Sequence, residues 1–279
     1  MANLRIITPN ESDDAVLTAL PAMVTTLPVS NLQDQTRSRV ARSVGLPTPQ
    51  YIRGDYNEVK QISSMALVRH NLTGAATIRL KLWDGAGQTG TLLYDSGVVT
   101  LGDALGWGDF IWGVDPWSDD QFANWPVAFT VLWFDPYAAQ SFEIQITDNA
   151  NTDGYIEFAR LFMGLYWSPE TNFSYGAKMA WRERSTQART DGGTLRTDAR
   201  SPYRAWSFDL NFLSLGERAQ LADIIRNAGL RNDMFISCFP GEGGARERDY
   251  AGAAKLVSSP DITHPFSRHY SAPMVLEEA

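Results

Sequence analysis

Before about residue 200, no stretch of this chain repeats its apolar residues at the 3.6-residue period of an amphipathic helix. The recurring period is two. In ATIRLKLW (76–83), Ile78, Leu80 and Leu82 fall on one side, and Arg79 and Lys81 on the other. KQISSMALVRHNL (60–72), GTLLYDSGVVTL (90–101), SFEIQITD (141–148) and GYIEFARLFMGLYW (154–167) read as further strands. Turn chemistry joins them, as in Asn71-Leu72-Thr73-Gly74. Residues 1–28 supply one strand plus loop, and VSNLQDQTRSRVARSVG (29–45) is polar and turn-prone. Short strands with frequent turns predict a mainly β chain that opens with an antiparallel β-sandwich over 1–166.

Beyond residue 167 the pattern changes. YRAWSFDLNFL (203–213) alternates, and Ser214-Leu215-Gly216-Glu217 then forms a capping box. Leu215, Leu221, Ile224, Ile225 and Ala228 give one apolar face, and Gly229 is a suitable stop, so the spacing predicts one main helix at about 215–228. MFISCF (234–239), DYAGAAKLVSS (249–259) and RHYSAPMVLEE (268–278) read as strands. The expectation is a smaller α+β domain over 167–279.

Two segments stand out from this frame. The first, 101–139, is an aromatic-rich insertion that holds Trp107, Trp112, Trp117, Trp125 and Trp133. Its rings could cap the sandwich core, meet another subunit or bind a ligand such as a glycan. The second lies between the strand ending near Trp167 and the one starting at Tyr203. It is polar and carries Arg182, Arg184, Arg189, Arg196, Arg200 and, at its end, Arg204, around a Gly-Gly. It contains no His, no Cys and no nucleophile paired with a base. That composition suits contact, because Arg pairs with carboxylates and is favoured over Lys at interfaces. Across the chain, 20 Arg stand against 4 Lys, a bias that a GC-rich coding genome would also produce.

Charge and motifs exclude much else. A net charge of -8 argues against nucleic-acid binding. No run reaches the ~18 apolar residues of a membrane span, and the N-terminus lacks the pattern of a signal peptide. The single cysteine, Cys238, lies in the apolar run MFISCF and reads as a buried thiol. Asp95-Ser96-Gly97 copies the loop of aspartic proteases, but that chemistry needs a second carboxylate. Asn149, Asn151 and Asp153 resemble the start of a calcium loop, yet the twelfth position is Arg160 instead of Glu. His70, His264 and His269 share no metal-binding spacing. GEGGAR (241–246) reads as a hairpin tip that opens no helix. The expectation is a chain without catalytic residues, cofactor or metal.

The pieces VSNLQDQTRSRVARS, MALVRHNLTGAATIRLKLWD, LLYDSGVV and EFARLFMGLYWSPETNFSYG resemble a domain of long-tailed bacteriophage tail proteins, one similar to the galactose-binding-like jelly roll. The continuation WRERSTQARTDGGTLRTDARSPYRAWSFDLNFLSLGERAQLADIIRNAG is similar to tail-tip and baseplate proteins of the distal-tail type. The resemblance implies a virion structural protein, made in the host cytoplasm. It would form a ring at the tail's end between tail tube and hub, with fibres or other host-binding parts attached. The alternative is an adhesin that recognises a host glycan through 101–139.

Overall fold

The computed structural model describes residues 2–102 and 127–279. The chain forms two compact units, Met1–Ser168 with Met234–Gly252, and Pro169–Asp233 with Ala253–Ala279. Its strands are β1 (Arg5–Ile7), β2 (Val16–Leu20), β3 (Ala41–Arg42), β4 (Gln50–His70), β5 (Thr77–Trp83), β6 (Leu92–Asp95), β7 (Val99–Thr100), β8 (Phe129–Thr147), β9 (Glu157–Gly164) and β10 (Tyr166–Trp167). There follow β11 (Lys178–Arg182), β12 (Thr186–Arg189), β13 (Leu195–Asp198), β14 (Tyr203–Leu213), β15 (Met234–Ser237), β16 (Ala251–Leu256), β17 (Thr263–Phe266) and β18 (His269–Glu278). The α-helices among the described residues are α1 (Leu215–Ala228) and α2 (Gly244–Tyr250).

In the first unit the strand order is β3-β9-β4-β8-β5-β6, with β2 also on β4 and β7 on β5. All these pairs are antiparallel. β4 and β8 are long enough to serve two layers. Residues 51–55 of β4 lie between β2 and β8, whereas residues 64–68 lie between β8 and β9. Register shifts after Asp55 and after Ile62 separate the two halves, and such bulges bend a strand. The layers enclose one core. Ile52, Ile78, Leu80, Phe142 and Ile144 meet Met65, Leu67, Phe158, Leu161 and Met163 there. The alternation of β5 is realised as read, with Ile78, Leu80 and Leu82 buried. Gly54 is required where it stands, because a Cβ would come within 2.3 Å of the Phe142 ring.

A further apolar contact explains where this unit ends. Ile62–Val68 are buried without interruption, the pattern of a strand covered on both faces. Phe129 and Phe162 of the neighbouring strands pack on Phe235 of β15, with ring centroids 5.6 and 6.0 Å away. β15 pairs with β1, which pairs with β10. Met234–Gly252 therefore belongs to the first unit, although the sequence reading ran one domain from 167 to the end.

The second unit is smaller and α+β. β18 lies between β16 and β14, β11 pairs with β14, and β17 pairs with β18. α1 spans the expected residues. Its Ser214 Oγ accepts the Glu217 amide, and the Glu217 carboxylate accepts the Ser214 amide. The other Glu217 oxygen takes the Glu170 N–H at 2.7 Å, which fixes the incoming chain. Leu221, Ile224 and Ala228 are buried, whereas Leu215 at the first turn is exposed. β12 and β13 form a separate two-stranded sheet.

Three expectations need correction. The segment 101–139 is not all insertion, because β8 begins at Phe129; the exposed Asp135-Pro136 breaks the period and hides that strand. GEGGAR does open a helix, α2. The strand read from residue 249 starts at Ala251, because Asp249 and Tyr250 complete that helix.

Candidate interaction surface

The arginine-bearing segment is exposed to solvent almost throughout. Every residue of β12 and β13 is exposed, from Thr186↔Asp198 to Arg189↔Leu195 in register. Thr190 and Gly193 close the turn, with Gly193 in the left-handed region at φ 82°. The Gly-Gly is thus a hairpin loop. A two-stranded hairpin without a core of its own is marginal in water. Among the described residues, both outer edges of this small sheet lack a neighbouring strand. Trp181 and Leu195, 42% and 49% exposed, add apolar surface.

The arginines divide into three kinds. Arg182 and Arg184 stand at the hairpin's root and share Glu277, at 2.7 and 3.9 Å. Arg189, Arg196 and Arg200 lie on the hairpin or just after it. Arg189 donates to the Gly193 carbonyl at 2.8 Å, and Arg200 reaches Asp198 at 2.7 Å. Arg196 is exposed, opposite Ala188. Arg204 is the departure from expectation. It is fully buried, its guanidinium 2.6 Å from Glu278 and over the Trp206 ring. A side chain so enclosed is a structural ion pair, not a contact surface. The partners are Glu277 and Glu278, which the sequence signals only as an acidic pair ending a β-strand. Trp107, Trp112, Trp117 and Trp125 lie outside the described residues.

The catalytic look-alikes resolve into turns and packing. Asp95 makes a two-point ion pair with Arg79 and accepts the Gly97 amide, so the Asp-Ser-Gly is a tight turn. The Arg79 guanidinium holds that carboxyl down, at about 2. Asn151 and Asp153 bond to Asn71 and to each other across the turn between β8 and β9. Burial pushes the His70 imidazole down to about 4 and the Cys238 thiol up to about 12, far from a reactive thiolate. The amides of Gly241 and Gly243, which a phosphate would need, are taken by the Glu247 carboxylate. Among the described residues no three His, Cys, Asp or Glu side chains are grouped to hold a metal, and no helix is long and apolar enough to cross a membrane.

One other surface gathers rings. Tyr94 of β6 stacks on Phe134 of β8 at 4.3 Å, with Tyr137 5.4 Å from Tyr94. All three are half-buried at the edge of the sandwich core. Tyr94 pairs with Leu82 and faces the core, whereas the next residue, Asp95, points to the other face of the sheet toward Arg79.

No family model and no curated protein matches this chain. Among solved structures, it is similar to chitosan-binding module 1 of a Paenibacillus sp. IK-5 chitosanase/glucanase, at 13% identity and TM-score 0.40, over 56% of this chain and 98% of that one. It is similar to CpGH89CBM32-5 of Clostridium perfringens, solved with GalNAc-β-1,3-galactose, at 11% identity and TM-score 0.39, over 56% and 100%. It is also similar to the lectin domain of lectinolysin with Lewis B antigen, at 9% identity and TM-score 0.38, over 56% and 96%. All three are carbohydrate-binding domains by name, and none is a phage tail component.

Proposed function

We propose that this chain works by contact and not by catalysis, and that the β12–β13 hairpin is where it takes hold of another protein. One observation carries the reading: the hairpin exposes both sheet edges, several arginines and an apolar residue, with no core of its own. Unpaired edges accept an added strand, and Arg then pairs with the partner's carboxylates. The finer reading is a ring-forming component of a phage tail tip, with tube, hub and fibres as partners. That finer reading is supported by the order of sequence motifs described above. Sedimentation of the full chain tests the contact. Self-association that is lost when Arg182, Arg184, Arg189, Arg196 and Arg200 are changed to Glu, with the fold intact, supports it. Self-association that survives those changes removes the hairpin from the interface.

A second reading is glycan binding by the first unit. The Tyr94–Phe134–Tyr137 rings favour it, because clustered aromatic faces suit a pyranose ring. Chitosan oligosaccharides, GalNAc-β-1,3-galactose and Lewis B antigen are suitable probes. Binding of one of them that Tyr94→Ala abolishes would favour this reading over assembly; no binding to any would leave assembly as the function.

A further inference from the structure

The first unit holds one arginine in a setting unlike its others. Arg5 of β1 has its guanidinium carbon 4.4 Å from the centre of the Tyr166 ring and 5.1 Å from that of Trp133. The two rings stand edge to face, 5.4 Å apart. Each is anchored. Tyr166 pairs with Ile7 in β1 and donates its backbone N–H to Ser63 Oγ, and Trp133 pairs with Ser64 in β4. The guanidinium is thus half-buried and held by rings from two strands, with little freedom to lose on binding.

Arg42, Arg53, Arg79 and Arg160 of the same unit each lie within 2.7 Å of a carboxylate oxygen. Arg5 has no carboxylate partner among the described residues; its guanidinium lies against the two rings. Beside it, the indole N–H of Trp133 is buried and lacks an acceptor. Buried donors without acceptors are rare in folded proteins. Two neighbouring donor groups therefore lack what an anion supplies.

We propose that Arg5, held between Trp133 and Tyr166, is a binding site for a carboxylate. A single planar guanidinium matches a carboxylate with two parallel N–H···O bonds. The lone positive charge suits a monoanion better than a phosphate dianion. An anion held at the guanidinium would change the surroundings of the Trp133 ring, whose centre lies 5.1 Å from it. The site is independent of the hairpin, so it stands or falls apart from the assembly reading.

The test is a titration of the full chain with acetate, using acetamide as the neutral isostere. The readout is the indole N–H resonance of Trp133, identified by its absence in Trp133→Phe. Saturable movement with acetate, in the millimolar range, and none with acetamide is the expected result. Arg5→Gln should weaken the response about tenfold or more, and Arg5→Lys less. A resonance that ignores acetate, or responds equally in Arg5→Gln, overturns the proposal. Should Arg5→Gln fail to fold, Trp133→Phe keeps the ring. Acetate should then still move the Arg5 side-chain N–H resonance, and its failure to do so overturns the proposal as well.

Discussion

The arginines of the sandwich and those of the hairpin are the same residue put to opposite uses. In the sandwich, Arg42, Arg53, Arg79 and Arg160 reach across strands or loops to Glu157, Glu143, Asp95 and Asp13. Their charges are matched inside the fold. On the hairpin, Arg189 finds only a carbonyl of its own turn, and Arg200 finds an acid two residues away. Those contacts are local and solvated, so they contribute little to stability. Arg204, a few residues further on, returns to the sandwich pattern in its most extreme form, sealed with Glu278. Burial, not residue type, separates an internal tie from a surface available to a partner.

Breaking the deepest tie should cost most. Arg204→Ala leaves the Glu278 carboxylate enclosed and unpaired, and should lower stability by about 3–5 kcal/mol in urea unfolding. A loss below about 1 kcal/mol would put Arg204 with the surface arginines. Next comes a buried group of the first unit. His70 titrates in the folded state near 4, below its ordinary 6.5, because burial disfavours its charge. The folded chain thus binds fewer protons than the unfolded one. The stability involved is complete above pH 6.5 and is lost as pH falls toward 4, on the order of 2 kcal/mol by pH 4.5. Unfolding curves at pH 7 and 4.5 check this, and a slope unchanged in His70→Gln would refute the assignment.

Smaller effects sharpen the contrast. Arg79→Gln removes a half-exposed, two-point pair with Asp95 and should lower stability far less than Arg204→Ala does, because solvent screens such a pair. With Arg79 gone, the Asp95 carboxyl should rise from about 2 toward its ordinary 3.8, which titration followed by carbon NMR would register. The folded pKa of Asp95 is depressed, so the pair's contribution is present above pH 3.8 and fades as pH falls toward 2. Smallest of all, Arg189→Ala with Arg196→Ala should shift stability by no more than about 0.5 kcal/mol. A larger loss in thermal unfolding would mean that the hairpin arginines are structural after all.

Several elements are legible in the sequence alone. The alternation of 76–83, the strand at 203–213 and the capped helix at 215–228 all encode their structure locally, through side-chain period and a reciprocal cap. Other features were not legible. β8 was hidden because Asp135 and Pro136 interrupt its period, while its pairing with β4 resumes on both sides of the break. Met234–Ser237 looked like a strand of the later domain, but its Phe235 is drawn into the aromatic contact with Phe129 and Phe162. α2 was missed because its glycine-rich start has poor intrinsic propensity; the Glu247 carboxylate holding the Gly241 and Gly243 amides offsets that.

By itself, the sequence determined that this chain is mainly β, where its main helix starts and stops, and that six of its 20 arginines gather in one polar stretch. Those are properties of neighbours along the chain, set by periods of two and 3.6 and by short-range hydrogen bonds. Only the tertiary structure decided which arginines are spoken for. Glu278 lies 74 residues from Arg204, and Trp133 lies far along the chain from Arg5. Pairing at that range depends on which strands become neighbours, and strand order follows from how apolar faces are buried, which no local pattern records.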